Sequence, residues 1–210
     1  MQEIELTCEA TSAVYAQLEK KLVGLQPERV VVNEDHYYDT ATVDLFKQAV
    51  FVRVRTTGKL SHLQFKFDEP ESEKTHIACI ERDFPLFAEA CLTETAHTLF
   101  RRFLPQWHPS STWKRACADN ALQELVSIHN TRALYTRDSL TICLDQIEGL
   151  GTFIEVEQMC EEGIETQQAQ NHIRQFIADL GGKPLTAGYV ELALRRQRPD
   201  IYQQGQYHLL

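Results

Sequence analysis

The sequence predicts an α+β protein centred on about eight antiparallel strands, curled into a barrel or a strongly curved sheet with helices on its flanks. Three observations lead there. Short segments alternate apolar and polar residues with period two, as in QEIELT at 2–7, VFVRVR at 50–55 and GTFIEVE at 151–157. Most of these segments are joined by short turns, which imposes antiparallel pairing. Few helical stretches separate them.

Along the chain, residues 2–8 alternate and read as the first strand. Val14, Leu18, Leu22 and Leu25 give residues 11–24 an amphipathic helical stripe. Residues 30–39 read as extended. Runs 49–57 and 61–68 flank Thr57-Gly58-Lys59, a hairpin signal. HIACIERDF is a strand after the polar loop EPESEKT, and 86–104 reads as a helix ending before Pro105. Residues 105–120 look loop-like, making 105–123 an expected insertion. Residues 123–136 and 139–147 form a second hairpin turning near Arg137-Asp138-Ser139, and 152–159 is a strand. Residues 165–180 are helical up to Gly181-Gly182, and 187–196 form a short helix. The expected organisation is one domain over 1–196 and an irregular or disordered tail over 197–210.

Composition narrows the function. A chain of 210 residues with 43% hydrophobic content can bury a core without staples. A formal net charge of -9 argues against a nucleic-acid partner, though it leaves room for a local basic pocket. The six cysteines form no CxxC pair, and the histidines, among them His36, His62, His76 and His97, show no metal-ligand spacing. The chain opens directly on a charged strand with no signal-peptide pattern, which favours reduced thiols and a cytoplasmic setting. No apolar run approaches the roughly 20 residues of a membrane helix.

Residues at i and i+2 of a strand share a face. Sorted that way, the strands give Glu3 with Glu5, Arg53 with Arg55, Gln64 with Lys66 and Asp68, Cys79 with Glu81 and Asp83, Asn130 with Arg132, Cys143 with Asp145, and Glu155 with Glu157. The opposite faces are mostly Ile, Leu, Val and Phe. A half-solvated sheet explains any one such face. The whole set, with acids paired on two strands and arginines on another, fits an enclosed interior better. Unpaired charges would be too costly there, so that interior calls for a polyanion on the arginines and a divalent cation on the carboxylates.

EIEL at 3–6, YYDT at 37–40, FVRVR at 51–55, FKF at 65–67, IER at 80–82, TR at 131–132 and LDQIEGLGTFIEVE at 144–157 occur in one order. Together they resemble the CYTH family, the triphosphate tunnel metalloenzymes, over roughly residues 2–195. The family includes class IV adenylyl cyclases, thiamine triphosphatases and inorganic triphosphatases. The resemblance implies an eight-stranded antiparallel barrel forming a tunnel. It implies phosphate-binding roles for Arg53, Arg55, Lys66 and Arg132, and catalytic roles for Glu3, Glu5, Lys66 and Arg132. It places Mg2+ or Mn2+ on acids drawn from Glu3, Glu5, Glu81, Asp145, Glu155 and Glu157, with Glu155 and Glu157 foremost beside Glu3 and Glu5. Asp39 of YYDT takes a structural or turn role.

Two positions depart from the family pattern. Thr7 stands where ExExK ends in lysine, and Asn130 stands where a second lysine precedes the arginine. Both can hydrogen-bond a phosphate oxygen, and neither brings a positive charge. The resulting expectation is metal-dependent hydrolysis of tripolyphosphate, ATP or a similar triphosphate. The alternatives are a class IV adenylyl cyclase, a catalytically weak polyphosphate binder and a plain structural β-domain. Relatives that dimerise make a homodimer an expectation as well.

Overall fold

The structure is a computed structural model that describes residues 2–67, 78–86, 92–160 and 164–209, with side chains undescribed at 2, 3, 78, 160, 164 and 165. Eight strands form a closed barrel: β1 (Gln2–Glu9), β2 (Arg29–Asp39), β3 (Phe51–Thr57), β4 (Leu60–Phe67), β5 (Ala78–Leu86), β6 (Gln123–Arg137), β7 (Leu140–Ile147) and β8 (Gly151–Cys160). Around the barrel the order is β1-β5-β4-β3-β2-β6-β7-β8, and every neighbouring pair is antiparallel. β1 closes the ring by pairing with β8 on one side and β5 on the other. The helices are α1 (Ser12–Lys21), α2 (Glu94–Phe103), α3 (Trp113–Asp119), α4 (Ile164–Asp179), α5 (Tyr189–Gln197) and α6 (Pro199–Tyr202). None of the described helices is long and apolar enough to cross a membrane.

The period-two pattern decides which residues face outward into grease and which face the lumen. Ile4, Leu6, Ile142, Ile154 and Val156 leave the outer wall of β1, β7 and β8 and pack on Leu18 of α1 and on Ile173 and Ile177 of α4. Val52, Leu63, Phe65 and Phe67 do the same on β3 and β4, beneath Phe100 of α2 and Trp107, whose rings stack at 3.8 Å. Each such side chain is worth about 1.5–3 kcal/mol of burial, so a register slip that turned one strand over would be heavily disfavoured. A third cluster sits inside one end of the barrel. There Tyr37, Val126, Ile128, Ile147 and Phe153 meet Val190 and Leu194 of α5 and Ile201 and Tyr202 of α6. That end is stoppered by apolar residues, and the charged side chains occupy the rest of the lumen.

Turns and caps follow local chemistry. Gly58 supplies the positive φ (61°) that the β3–β4 turn needs, and Asp138 does the same (φ 55°) between β6 and β7. Thr11, Thr93 and Thr112 cap α1, α2 and α3 by accepting backbone N–H bonds from Val14, Ala96 and Arg115. Asp39 of YYDT accepts from the backbone N–H groups of Thr40, Leu45 and Phe46 at 2.7, 3.0 and 2.9 Å. It thereby ties down a turn in which Val43 and Ala49 hold positive φ.

Three expectations change. The stretch expected as a helix over 86–104 begins with the end of β5 at Leu86, and its helix runs only over Glu94–Phe103 behind the Thr93 cap. The 105–123 segment, expected to be loop-like, contains α3: Thr112 caps it and Ala116 anchors it in the α2 cluster. The tail expected to be irregular carries α6, because Ile201 and Tyr202 complete the apolar stopper.

Candidate active site

Strand register brings the lumen side chains together. Lys66 on β4 lies opposite Glu81 on β5, and Arg53 on β3 lies between Gln64 and Tyr37. Arg132 on β6 faces Asp145 on β7, while Glu5 and Thr7 on β1 face Glu157 and Glu155 on β8. Cys143 stands across from Glu155 on the other side. The result is a cavity of about 270 Å³ whose wall carries Arg53, Arg55, Lys66 and Arg132 among carboxylates, with the start of α5 closing it.

The charges engage one another in three knots. Arg132 gives Nε and Nη2 to the two oxygens of Asp145 at 2.7 Å each, and reaches Glu155 at 2.5 Å and Glu157 at 3.3 Å. Asp35 takes Arg55 by both oxygens at 2.7 Å, and accepts from Arg53 at 3.3 Å. Arg53 also bonds Gln64, Tyr37 and Glu81 at 2.8, 3.1 and 3.1 Å. Lys66 is paired with Glu5.

These contacts shift the titration of the groups that make them. Burial pushes toward neutral forms, but the Arg53 charge and the Arg55 hydrogen bond outweigh it and hold Asp35 below the usual carboxylate range. Burial likewise pulls on Arg132 and Lys66, and the neighbouring acids overcome it, so both cations titrate well above their ordinary values. Arg53 also rises, against its burial, beside Tyr37, Asp35 and Glu81, so these three cations stay charged across the physiological range.

The acids offered as cation ligands fall into distinct settings. Ligand atoms of Glu155, Glu157 and Cys143 lie within 4.8 Å of one another, a spacing one ion can bridge. The Cys143 thiol donates to Glu157 at 3.8 Å, and its burial raises its pKa, so in this setting it acts as a thiol. Glu5 lies across the β1–β8 register from Glu157, and its carboxylate is paired with Lys66. The side chain of Glu3 lies outside the described residues, as does Asp68. Glu81 turns to Arg53, and Asp145 is fully taken by Arg132 and by Tyr189 Oη, which donates at 2.8 Å. The two carboxylates of this cluster are hard oxygen ligands of the kind a divalent cation takes.

Sequence reasoning missed Asp35, Tyr189 and Glu191. Asp35 was legible in principle: Asn33, Asp35, Tyr37 and Asp39 are all buried at alternate positions of β2. The polar neighbours Glu34 and His36, which pair with each other on the outer face, mask that alternation. Tyr189 and Glu191 reach the lumen from a helix docked across the barrel end, a placement no strand periodicity signals. Among the histidines, His36 and His62 pair with exposed acids and His97 accepts from Trp107 Nε1 at 3.2 Å; His76 lies outside the described residues.

Comparison with known proteins agrees with this fold. The chain is similar in fold to the PH1819 protein from Pyrococcus horikoshii OT3 (TM-score 0.66, 21% identity, 93% of this chain and 99% of that one). It is similar to a putative adenylate cyclase from Vibrio parahaemolyticus (TM-score 0.60, 14% identity, 91% and 97%). It is also similar to HpAC1 from Hippeastrum, a putative adenylyl cyclase described as having a dominant triphosphatase activity (TM-score 0.56, 20% identity, 93% and 95%). A search of curated proteins gave no significant match. The sequence model of the CYTH domain matches residues 1–187, from the first strand past every charged strand of the barrel, and the chain belongs to the CYTH family.

Proposed function

We propose that this CYTH protein binds a triphosphate in its lumen and hydrolyses it with the help of Mg2+ or Mn2+. The observation that carries the reading is the convergence of Arg53, Arg55, Lys66 and Arg132 on one cavity that also holds Glu155 and Glu157. Guanidinium groups match phosphate oxygens in two-point fashion, and Lys66 adds a compact charge. Charge building on the transferred phosphoryl oxygens would meet cations already fixed by Asp35 and Asp145, so little reorganisation is needed during reaction. The barrel wall and the apolar stopper limit water around those contacts, which strengthens them.

Glu155 and Glu157, with Glu5 and Glu3 beside them on β1, would hold the divalent ion. When bound, such an ion neutralises phosphoryl charge and lowers the pKa of bound water. Arg132 spans both functions, since it touches Glu155 and Glu157 while being oriented by Asp145. A phosphate that takes hydrogen bonds from Arg132 frees those carboxylates for the ion.

The test is a panel of tripolyphosphate, ATP and thiamine triphosphate, each with Mg2+ and then Mn2+, with products identified. Released phosphate or pyrophosphate supports hydrolysis. Cyclic AMP from ATP assigns the cradle to cyclisation by the ribose hydroxyl. Thermal stabilisation by tripolyphosphate without turnover under either ion marks a binder. No stabilisation by any of the three overturns the reading.

A further inference from the structure

Two buried side-chain atoms among the described residues have no hydrogen-bond partner: Asn130 Oδ1 and Glu191 Oε1. Glu191 is the more telling. It is 2% exposed and lines the charged cavity from α5. Its Oε2 has a plain structural task, accepting the Gly188 N–H at 3.1 Å to cap the helix. That task leaves Oε1 unexplained. The other cavity acids are all engaged: Glu5 with Lys66, Glu81 with Arg53, and Glu155 and Glu157 with Arg132. Glu191 also falls beyond residue 187, where the family match ends.

We infer that Glu191 enters the site as a carboxylic acid and donates a hydrogen bond from Oε1 to an oxygen of the bound polyphosphate. This rests on the triphosphate reading above. An ionised carboxylate with one oxygen buried and unpartnered is disfavoured, and a polyanion beside it would add repulsion. The protonated acid has an O–H to give, and a polyphosphate offers only acceptors. Burial drives the Glu191 carboxyl up to about 7, against the opposing pull of the helix amides and of the Lys66 charge. The first residues of α5 line the same cavity, and the positive end of the helix favours an anion there.

Lys66, Arg132 and Tyr189, which share the cavity with Glu191, stay out of its titration range. Lys66 and Arg132 titrate well above their ordinary values because, against their burial, acids surround them. Tyr189, on its own helix, is raised by burial and by the charges of Glu155 and Asp145. A pH effect on binding between pH 6 and 8 therefore reads Glu191 together with the ligand's own proton losses, which are common to every variant.

The experiment is calorimetric titration of the full chain with inorganic tripolyphosphate, with chelator present so that nothing turns over, at pH 6, 7 and 8. Wild-type affinity should fall about tenfold more from pH 6 to 8 than that of Glu191→Gln, as one linked proton with a pKa near 7 requires. Glutamine keeps an acceptor for Gly188 and offers an amide donor, so its affinity at pH 8 should exceed that of wild type. Wild type at pH 8 should take up about one proton more per site on binding than Glu191→Gln or Glu191→Ala, read from two buffers of different ionisation enthalpy. The alanine variant gives that second reading should the glutamine protein fail to fold. Parallel pH profiles, or equal proton uptake by wild type and variant at pH 8, overturn the inference while leaving the triphosphate reading intact. No binding by wild type at any pH overturns both.

Discussion

Asp145 grips Arg132 with both carboxylate oxygens at 2.7 Å, and the side chain of that aspartate has no solvent exposure at all. The two-point contact fixes the guanidinium plane, and Tyr189 Oη holds the aspartate from behind. Arg132 is thus presented to the lumen by a residue that the lumen itself does not reach. Among the candidate cation ligands, Asp145 is the one whose surroundings fit a positioning role.

Removing that grip should be costly. Breaking a buried ion pair from one side costs about 3–5 kcal/mol, and Asp145→Asn should sit near the lower end because Glu155 and Glu157 remain on Arg132. Urea denaturation at pH 7 measures it. A change below about 1 kcal/mol would mean that the pair does not order the guanidinium.

Asp35 predicts a pH signature. Its folded-state pKa lies below the unfolded value, so it stabilises the fold above about pH 4 and that contribution is lost as pH falls through the folded value. Asp35→Asn should therefore be less stable than wild type at pH 7, with the gap closing toward pH 3. Denaturation curves at both pH values check this, and a gap that persists at pH 3 would assign the loss to packing.

The sequence made the barrel legible because outer-face burial and inner-face charge share one period. Glu5, Arg53, Arg55, Lys66, Glu81, Arg132, Glu155 and Glu157 could all be sorted from alternation and resemblance, and all line one cavity. Asp35 escaped because both faces of β2 are polar where it sits, so alternation carries no sign there. Helix α3 escaped because Pro109-Ser110-Ser111-Thr112 reads as loop, whereas the threonine is a cap whose helix is only seven residues long. Tyr189 and Glu191 escaped for a different reason: their role comes from where α5 docks, which is tertiary.

Thr7 lines the cavity opposite Glu155, at the position of the family's lysine. A lysine there would add a group able to move a proton beside the carboxylates. Thr7→Lys should raise tripolyphosphate turnover at least tenfold, a modest share of what a positioned acid–base group contributes. Initial rates with saturating Mg2+ measure it. Unchanged rates would show that the threonine is not what limits the reaction.

Cation and phosphate should bind as a linked pair. Arg132 currently satisfies Glu155 and Glu157, and Arg53 satisfies Glu81, so an ion alone must compete with guanidinium groups for the acids. A polyphosphate that engages the guanidiniums releases the carboxylates, and an ion on the carboxylates releases the guanidiniums. Each ligand should then tighten the other by the same factor, about 5- to 150-fold for a coupling of 1–3 kcal/mol. Mn2+ titrations with and without a non-hydrolysable triphosphate read one side, and triphosphate titrations with and without Mn2+ read the other. Arg53→Ala should weaken triphosphate binding about tenfold or more, the worth of a charged hydrogen bond. Glu155→Gln should weaken Mn2+ binding. Independent binding of the two ligands, or affinities untouched by both substitutions, would remove the shared cradle.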